Sequence, residues 1–164
     1  MKYLRIATSL FLLLFTTLAF ADSGGQKSFD QLKSLSGSWE GKGSEGQPLQ
    51  VSFRVTSAGS AILNEIQGPE DMVTMFHMDG DRMMMTHYCA TGNQPRMVGT
   101  LSPDAKTMTF TFLDVTNFVS TQPGHMQGLV LTFVDANHHT EDWTFLDKDG
   151  QTQHHEHFDL HRKP

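Results

Sequence analysis

Nine histidines occur in 164 residues, and seven of them fall from His125 onward. Neutral imidazole can ligate a metal, hydrogen-bond a ligand or move a proton near neutral pH, so the face each ring occupies decides which of these is open to it. Histidine-rich tracts commonly act as solvated metal scavengers, but alternation divides this one. With Trp143 and Phe145 inward, His139 and Glu141 turn inward too, and with Phe158 and Leu160 inward so do His154 and Glu156. A four-residue turn at Asp147 to Gly150 pairs Leu146 with Gln151, which sets Trp143 against His154, Glu141 against Glu156 and His139 against Phe158. His138, His155, His157, Asp159 and His161 then face outward. A one-residue slip would exchange the two sets. Inward imidazoles and carboxylates cost a few kcal/mol each unless bonded or hydrated. The pattern therefore predicts a wet, ligand-accepting interior, or a place for these groups at its solvated mouth.

A second cluster surrounds Asp79-Gly80. Met83, Met85, His87 and Cys89 share one parity, and a bulged turn would bring Val73, Met75 and His77 to the same side. Soft sulfur and imidazole donors suit Cu(I) or a haem iron, and His87-x-Cys89 sets two of them on one side of a strand. The metal candidates are thus His77, His87 and Cys89. The same residues also suit a metal-free lining, since methionine fills irregular apolar space and receives apolar guests readily, while neutral imidazoles hydrogen-bond a ligand's hydroxyl or carbonyl.

Other motifs are absent. There is no Gly-x-Ser-x-Gly, no phosphate-binding loop, no dinucleotide fingerprint and no His-Glu-x-x-His. Asp79-Gly80-Asp81 and Asp147-Lys148-Asp149-Gly150 lack the bidentate Glu of a calcium loop and read as turns. Removing residues 1–21, which hold Lys2 and Arg5 and no acid, leaves ten basic residues against eighteen acidic, a net charge of −8. That sign and the lack of any Lys/Arg cluster argue against nucleic acid or an anionic membrane surface as partner.

The first 21 residues predict a signal peptide. Lys2 and Arg5 form a positive start, Ile6 to Phe20 an apolar run, and Ala19-Phe20-Ala21 a small-residue cleavage site before Asp22. About 15 apolar residues are too few for a membrane anchor, which takes roughly 20. The expected location is the periplasm or outside the cell, with no stable anchor after cleavage. The single cysteine, Cys89, has no partner for an internal disulfide.

The elements that must position these groups follow from the period of the chain. Asp22 to Lys27 reads as a flexible leader, and residues 28–164 as one domain. Ser28 to Leu35 predicts a short helix, with Ser28 as cap, Phe29, Leu32 and Leu35 on one side, and Gly37 beyond its end. From there the period is two. Strands are expected at Trp39 to Lys42, Leu49 to Thr56, Ala61 to Gln67, Met72 to Met78, Arg82 to Cys89, Arg96 to Ser102, Thr107 to Asp114, His125 to Val134, His138 to Leu146 and Thr152 to His161. About ten short strands joined by tight turns predict an all-β, up-and-down antiparallel barrel, since closure removes the unpaired edges of so long a meander. A jelly-roll or sandwich would need long crossovers, and only Val115 to Gly124 offers the length.

Gly37-Ser38-Trp39, opening the first strand after a short helix, resembles the Gly-x-Trp signature of lipocalins and fatty-acid-binding proteins, whose Trp plugs the closed end of the barrel. Across residues 29–162 the chain also resembles a family of uncharacterised exported bacterial proteins with lipocalin-like barrels. That likeness lies in Met72 to Asp81, Thr86-His87-Tyr88-Cys89, Gly92 to Met97 and the Glu141-Asp142-Trp143 region. It implies a fold and a cavity and supplies no reaction. Arg54 and Arg96 fall on the parity opposite Phe53 and Met97, so a fatty-acid carboxylate clamp is not expected.

The expectation is an exported, lipocalin-like barrel holding a small, largely apolar molecule. Met75, Met83, Met85, Phe110, Phe112 and Trp143 supply walls, and His77, His87, His139, Glu141, His154 and Glu156 the polar groups. The alternative is a copper- or haem-binding barrel built on the His/Met/Cys cluster. An enzyme using a His/Glu pair ranks third.

Overall fold

A computed structural model describes residues 24–164; the expected signal peptide, 1–21, and residues 22 and 23 lie outside the described residues. The first element, α1 (Gly24–Lys33), begins four residues before the expected Ser28. Ser28 is therefore no cap. It lies buried within the helix and donates its hydroxyl to the Gly24 carbonyl at 2.8 Å, the back-bond by which serine satisfies itself in mid-helix. Three i to i+3 bonds from Ser34, Leu35 and Ser36 tighten the exit. Gly37 then turns the chain at φ 130°, where a side chain would be strained and would also strike the Arg162 guanidinium.

Ten strands follow: β1 (Gly37–Lys42), β2 (Pro48–Thr56), β3 (Ala61–Gln67), β4 (Met72–Asp79), β5 (Arg82–Tyr88), β6 (Gln94–Leu101), β7 (Thr107–Thr116), β8 (Gly124–Asp135), β9 (His138–Asp147) and β10 (Gln153–Arg162). Each pairs antiparallel with the next, and β10 returns to pair with β1 through Trp39 and Arg162. The barrel is closed, so every strand has two neighbours and no edge is left to aggregate. The longest connection, between Thr116 and Gly124, merely joins adjacent β7 and β8, which disposes of the sandwich alternative. No described helix is long and apolar enough to cross a membrane.

Alternation sends Leu49, Val51, Phe53, Ile62, Ile66, Phe76, Met83, Met85, Met97, Met108, Phe110, Leu129, Leu131, Phe158 and Leu160 into one buried core. Gly99 lets it close: a Cβ there would come within 2.6 Å of the Phe110 ring and 3.0 Å of Met83. Helix α1 packs on β4, β5 and β6 and buries Phe29 and Leu32, each worth about 1.5–3 kcal/mol. Beside it Trp39 donates its indole hydrogen to the Leu35 carbonyl at 2.8 Å. The Arg162 guanidinium lies 4.2 Å from the Trp39 ring and bonds the carbonyls of Ser34, Ser36 and Ala136. One side chain thus holds the helix exit, the β8–β9 turn and the indole at the closed end.

Candidate functional site in the barrel lumen

The lumen is mostly methionine, phenylalanine and leucine, yet Asn64, Thr74, His87, His139 and Glu141 are also buried within it. Cross-strand register explains how they meet. Asn64 opposes Thr74 and Thr74 opposes His87, so three polar residues form one row across β3, β4 and β5. His139 and Glu141 come from β9 with Trp143, at alternate positions on one face.

Contacts run continuously from the mouth half of the barrel to its floor. Thr74 Oγ1 lies 2.9 Å from His87 Nδ1, and the His87 ring sits 4.8 Å from the Trp143 ring. Trp143 donates its indole hydrogen to Glu141 Oε2 at 2.9 Å, while Glu141 Oε1 lies 3.3 Å from His139 Nε2. The His139 ring meets Trp39 edge-on at 4.2 Å and Phe53 at 5.8 Å. Along this path two ring atoms stay unpaired: His87 Nε2 and His139 Nδ1 are buried with no hydrogen-bond partner. Each such atom costs about 1–3 kcal/mol. Burial also pushes the His87 pKa from 6.5 to about 4, so the ring is neutral at physiological pH.

Phe112 lies at the mouth end, stacked on the buried ring of His125 at 4.6 Å. An apolar cavity of about 260 Å³ opens at the same end, lined by Leu49, Ile66, Pro69, Met72 and Phe158, with Glu156 on its rim. Glu156 accepts hydrogen bonds from the Ser44 backbone and the Gln47 amide. The cavity floor stands one cross-strand pair above the polar row, because Ile66 opposes Met72 and the next inward pair is Asn64 with Thr74.

Several expected placements are corrected. Met75 and His77 lie on the outer face of β4, because the β4–β5 turn is a regular two-residue Gly80-Asp81 loop without a bulge. Phe76 and Thr74 are the residues facing Met85 and His87. Cys89 lies in the turn beyond β5, where its N–H bonds the Asn93 carbonyl, so His77, His87 and Cys89 do not share a face. Pairing of β9 with β10 is shifted by two residues: Trp143 opposes Glu156, Glu141 opposes Phe158 and His154 opposes Phe145. An even shift preserves the faces, but it carries His154 to the rim, where its side chain is 63% exposed beside Asp147. The residues brought together in the lumen are Met83, Met85, His87, Phe110, His139, Glu141 and Trp143. Asn64, Thr74 and His125 were not foreseen. Asn64 and Thr74 carry a readable signal, since each occupies an alternate position between large apolar residues, Ile62 and Ile66 in one case, Met72 and Phe76 in the other. His125 reads only as the start of a strand, and its burial depends on the Phe112 and Phe118 rings around it.

The closed ten-strand barrel is a shape met before. Sixteen solved chains resemble it. Rv2717c from M. tuberculosis aligns with a TM-score of 0.57 at 16% identity, over 84% of this chain and 98% of its own. A protein of unknown function from the DUF3598 family, from Nostoc punctiforme, aligns with a TM-score of 0.58 at 9% identity over 80% of this chain. That alignment spans 49% of the Nostoc protein, about half its length. No protein-family model and no curated protein matches the sequence. At these identities the likeness carries the fold alone.

Proposed function

We propose that this chain is an exported, lipocalin-like small-molecule-binding protein that takes a largely apolar molecule through the mouth at Leu49, Ile66, Met72 and Phe158. One observation carries the reading: His87 Nε2 and His139 Nδ1 are buried, unpaired and surrounded by apolar side chains. A chain that needed only a stable core would gain by replacing them with leucine. A guest bearing one hydroxyl or carbonyl would satisfy His87, and the flexible Met83 and Met85 beside it can move aside for the guest's apolar body. Phe110 and Trp143 would then line its flanks. Glu156, on the rim, favours uncharged or cationic guests over carboxylates.

The test is native mass spectrometry of protein purified without detergent, followed by titration with the neutral, carbonyl-bearing fluorophore 6-propionyl-2-(dimethylamino)naphthalene. A co-purifying organic species, or saturable one-to-one probe binding lost in Ile66→Arg and weakened at least fivefold in His87→Phe, supports the proposal. Protein that carries no guest and gives no saturable probe signal overturns it.

A second reading, a copper- or haem-binding barrel, is favoured by the way Thr74 engages His87 Nδ1 and leaves Nε2 bare, as the outer partner of a ligating imidazole does. A Soret band, or bound copper that disappears in His87→Ala, would favour it. A colourless, metal-free protein that releases an organic compound on denaturation favours the first reading.

A further inference from the structure

The outer wall formed by β9 and β10 carries its own histidine chemistry, separate from the lumen. Parity places His138 and Asp142 of β9 and His155, His157, Asp159 and His161 of β10 on that face. Two of these four rings engage one partner each: His157 Nδ1 lies 2.6 Å from Asp142 and His155 Nδ1 lies 3.3 Å from Thr144. At the closed end the arrangement changes. His138 and His161 are directly opposed across the two strands, their rings stacked at 4.3 Å and 20°. Both turn Nε2 toward one oxygen, Asp159 Oδ1, at 2.8 and 3.6 Å. Among the described residues this is where three potential metal-ligand atoms converge, all within 4.8 Å of one another.

We infer that His138, Asp159 and His161 form a surface site for a divalent first-row transition ion, with Zn²⁺ the natural occupant. Ligand atoms about 2.0–2.2 Å from a tetrahedral Zn²⁺ stand roughly 3.4 Å apart, a value that the nitrogen–oxygen separations of 2.8 and 3.6 Å bracket. Two imidazoles and one carboxylate match zinc or copper and poorly match magnesium or calcium, which take all-oxygen shells. The rings are carried by adjacent strands of a closed sheet, so their spacing is set by the backbone ladder and not by a loop. Glu40 stands directly opposite His161 on β1 and adds negative charge at the site. Its contact with Lys163, at 3.5 Å, is a surface pair that an arriving cation displaces readily. Three protein ligands leave the fourth position to water or another donor, the coordination of an exchangeable site and not of a closed structural one.

Isothermal titration of the metal-stripped protein with Zn²⁺ is the test, with Cu²⁺ electron paramagnetic resonance as a second readout. One ion per chain is expected, weakened at least tenfold in His161→Gln and in Asp159→Asn and unchanged in His155→Gln/His157→Gln. The Cu²⁺ spectrum should show coupling to two nitrogens, falling to one in His161→Gln. All these residues are on the surface, and circular dichroism confirms that each variant folds. Three results overturn the inference: no binding below millimolar Zn²⁺, a stoichiometry above one spread over all the outer histidines, or affinity indifferent to His161 and Asp159.

Discussion

Thr74 Oγ1 and His87 Nδ1, 2.9 Å apart, make the one hydrogen bond of an imidazole that is sealed from solvent on every side. In the folded chain His87 resists protonation down to about pH 4, whereas its ordinary value is 6.5. Between those limits the unfolded state binds the extra proton. Stability is therefore full above about pH 6.5 and drains away as pH falls toward 4, by up to about 3 kcal/mol. Urea midpoints at pH 7.5, 5.5 and 4.5 should show this slope in the parent and a shallower one in His87→Phe. Equal slopes would mean the ring titrates freely.

Glu141 is a buried carboxylate whose partners are the Trp143 indole and His139. Trp143→Phe leaves one of its oxygens bare and should cost about 2–4 kcal/mol in urea unfolding. Adding Glu141→Met should recover part of that loss, because the pair is removed together and no carboxylate is left unsatisfied. Losses that simply add would show the two side chains to be uncoupled.

Arg162 ties three carbonyls and the Trp39 ring together at the closed end. Lysine keeps the charge but has no planar fork to make those bonds at once. Arg162→Lys should cost about 1.5–3 kcal/mol and speed amide exchange in Gly24–Lys33 more than in β6. Uniform acceleration across the chain would point to global destabilisation without a local role.

The two faces of the β4–β5 hairpin make a direct contrast. Met75→Lys, on the outer face, should change stability by less than about 1 kcal/mol, while Met85→Lys, in the core, should cost about 4 kcal/mol or prevent folding. If Met75→Lys were the more damaging, the register of this hairpin would be wrong.

The strands themselves are readable to within two residues at every end, because alternation and turn residues agree over so much of the chain. What alternation could not supply was the exact loop count. At Asp147 the backbone bonds Thr152, and Asp149 caps the N–H groups of Gln151 and Thr152, which moves the four-residue turn forward by one, to 148–151, and so slides the pairing of β10 by two. Two residues is a full period, so His139, Glu141 and Trp143 kept their face. At Gly80-Asp81 the absence of a bulge displaced β4 by an odd number, and Met75 and His77 went outside. A two-residue shift was harmless in one hairpin, and a one-residue shift inverted the other. Helix α1 starts four residues before Ser28 because that residue, a favoured cap, is equally able to back-bond inside a helix.

Trp39 and Trp143 are the only tryptophans in the chain, and they sit at different depths with opposite charges for company. The first lies under a guanidinium at the base, and the second gives its N–H to a carboxylate higher up. Replacing either one by phenylalanine consequently leaves a single-site fluorescence reporter, of the base or of the wall above it. Intrinsic fluorescence can thereby tell a disturbance of the floor from one higher in the barrel without any dye attached.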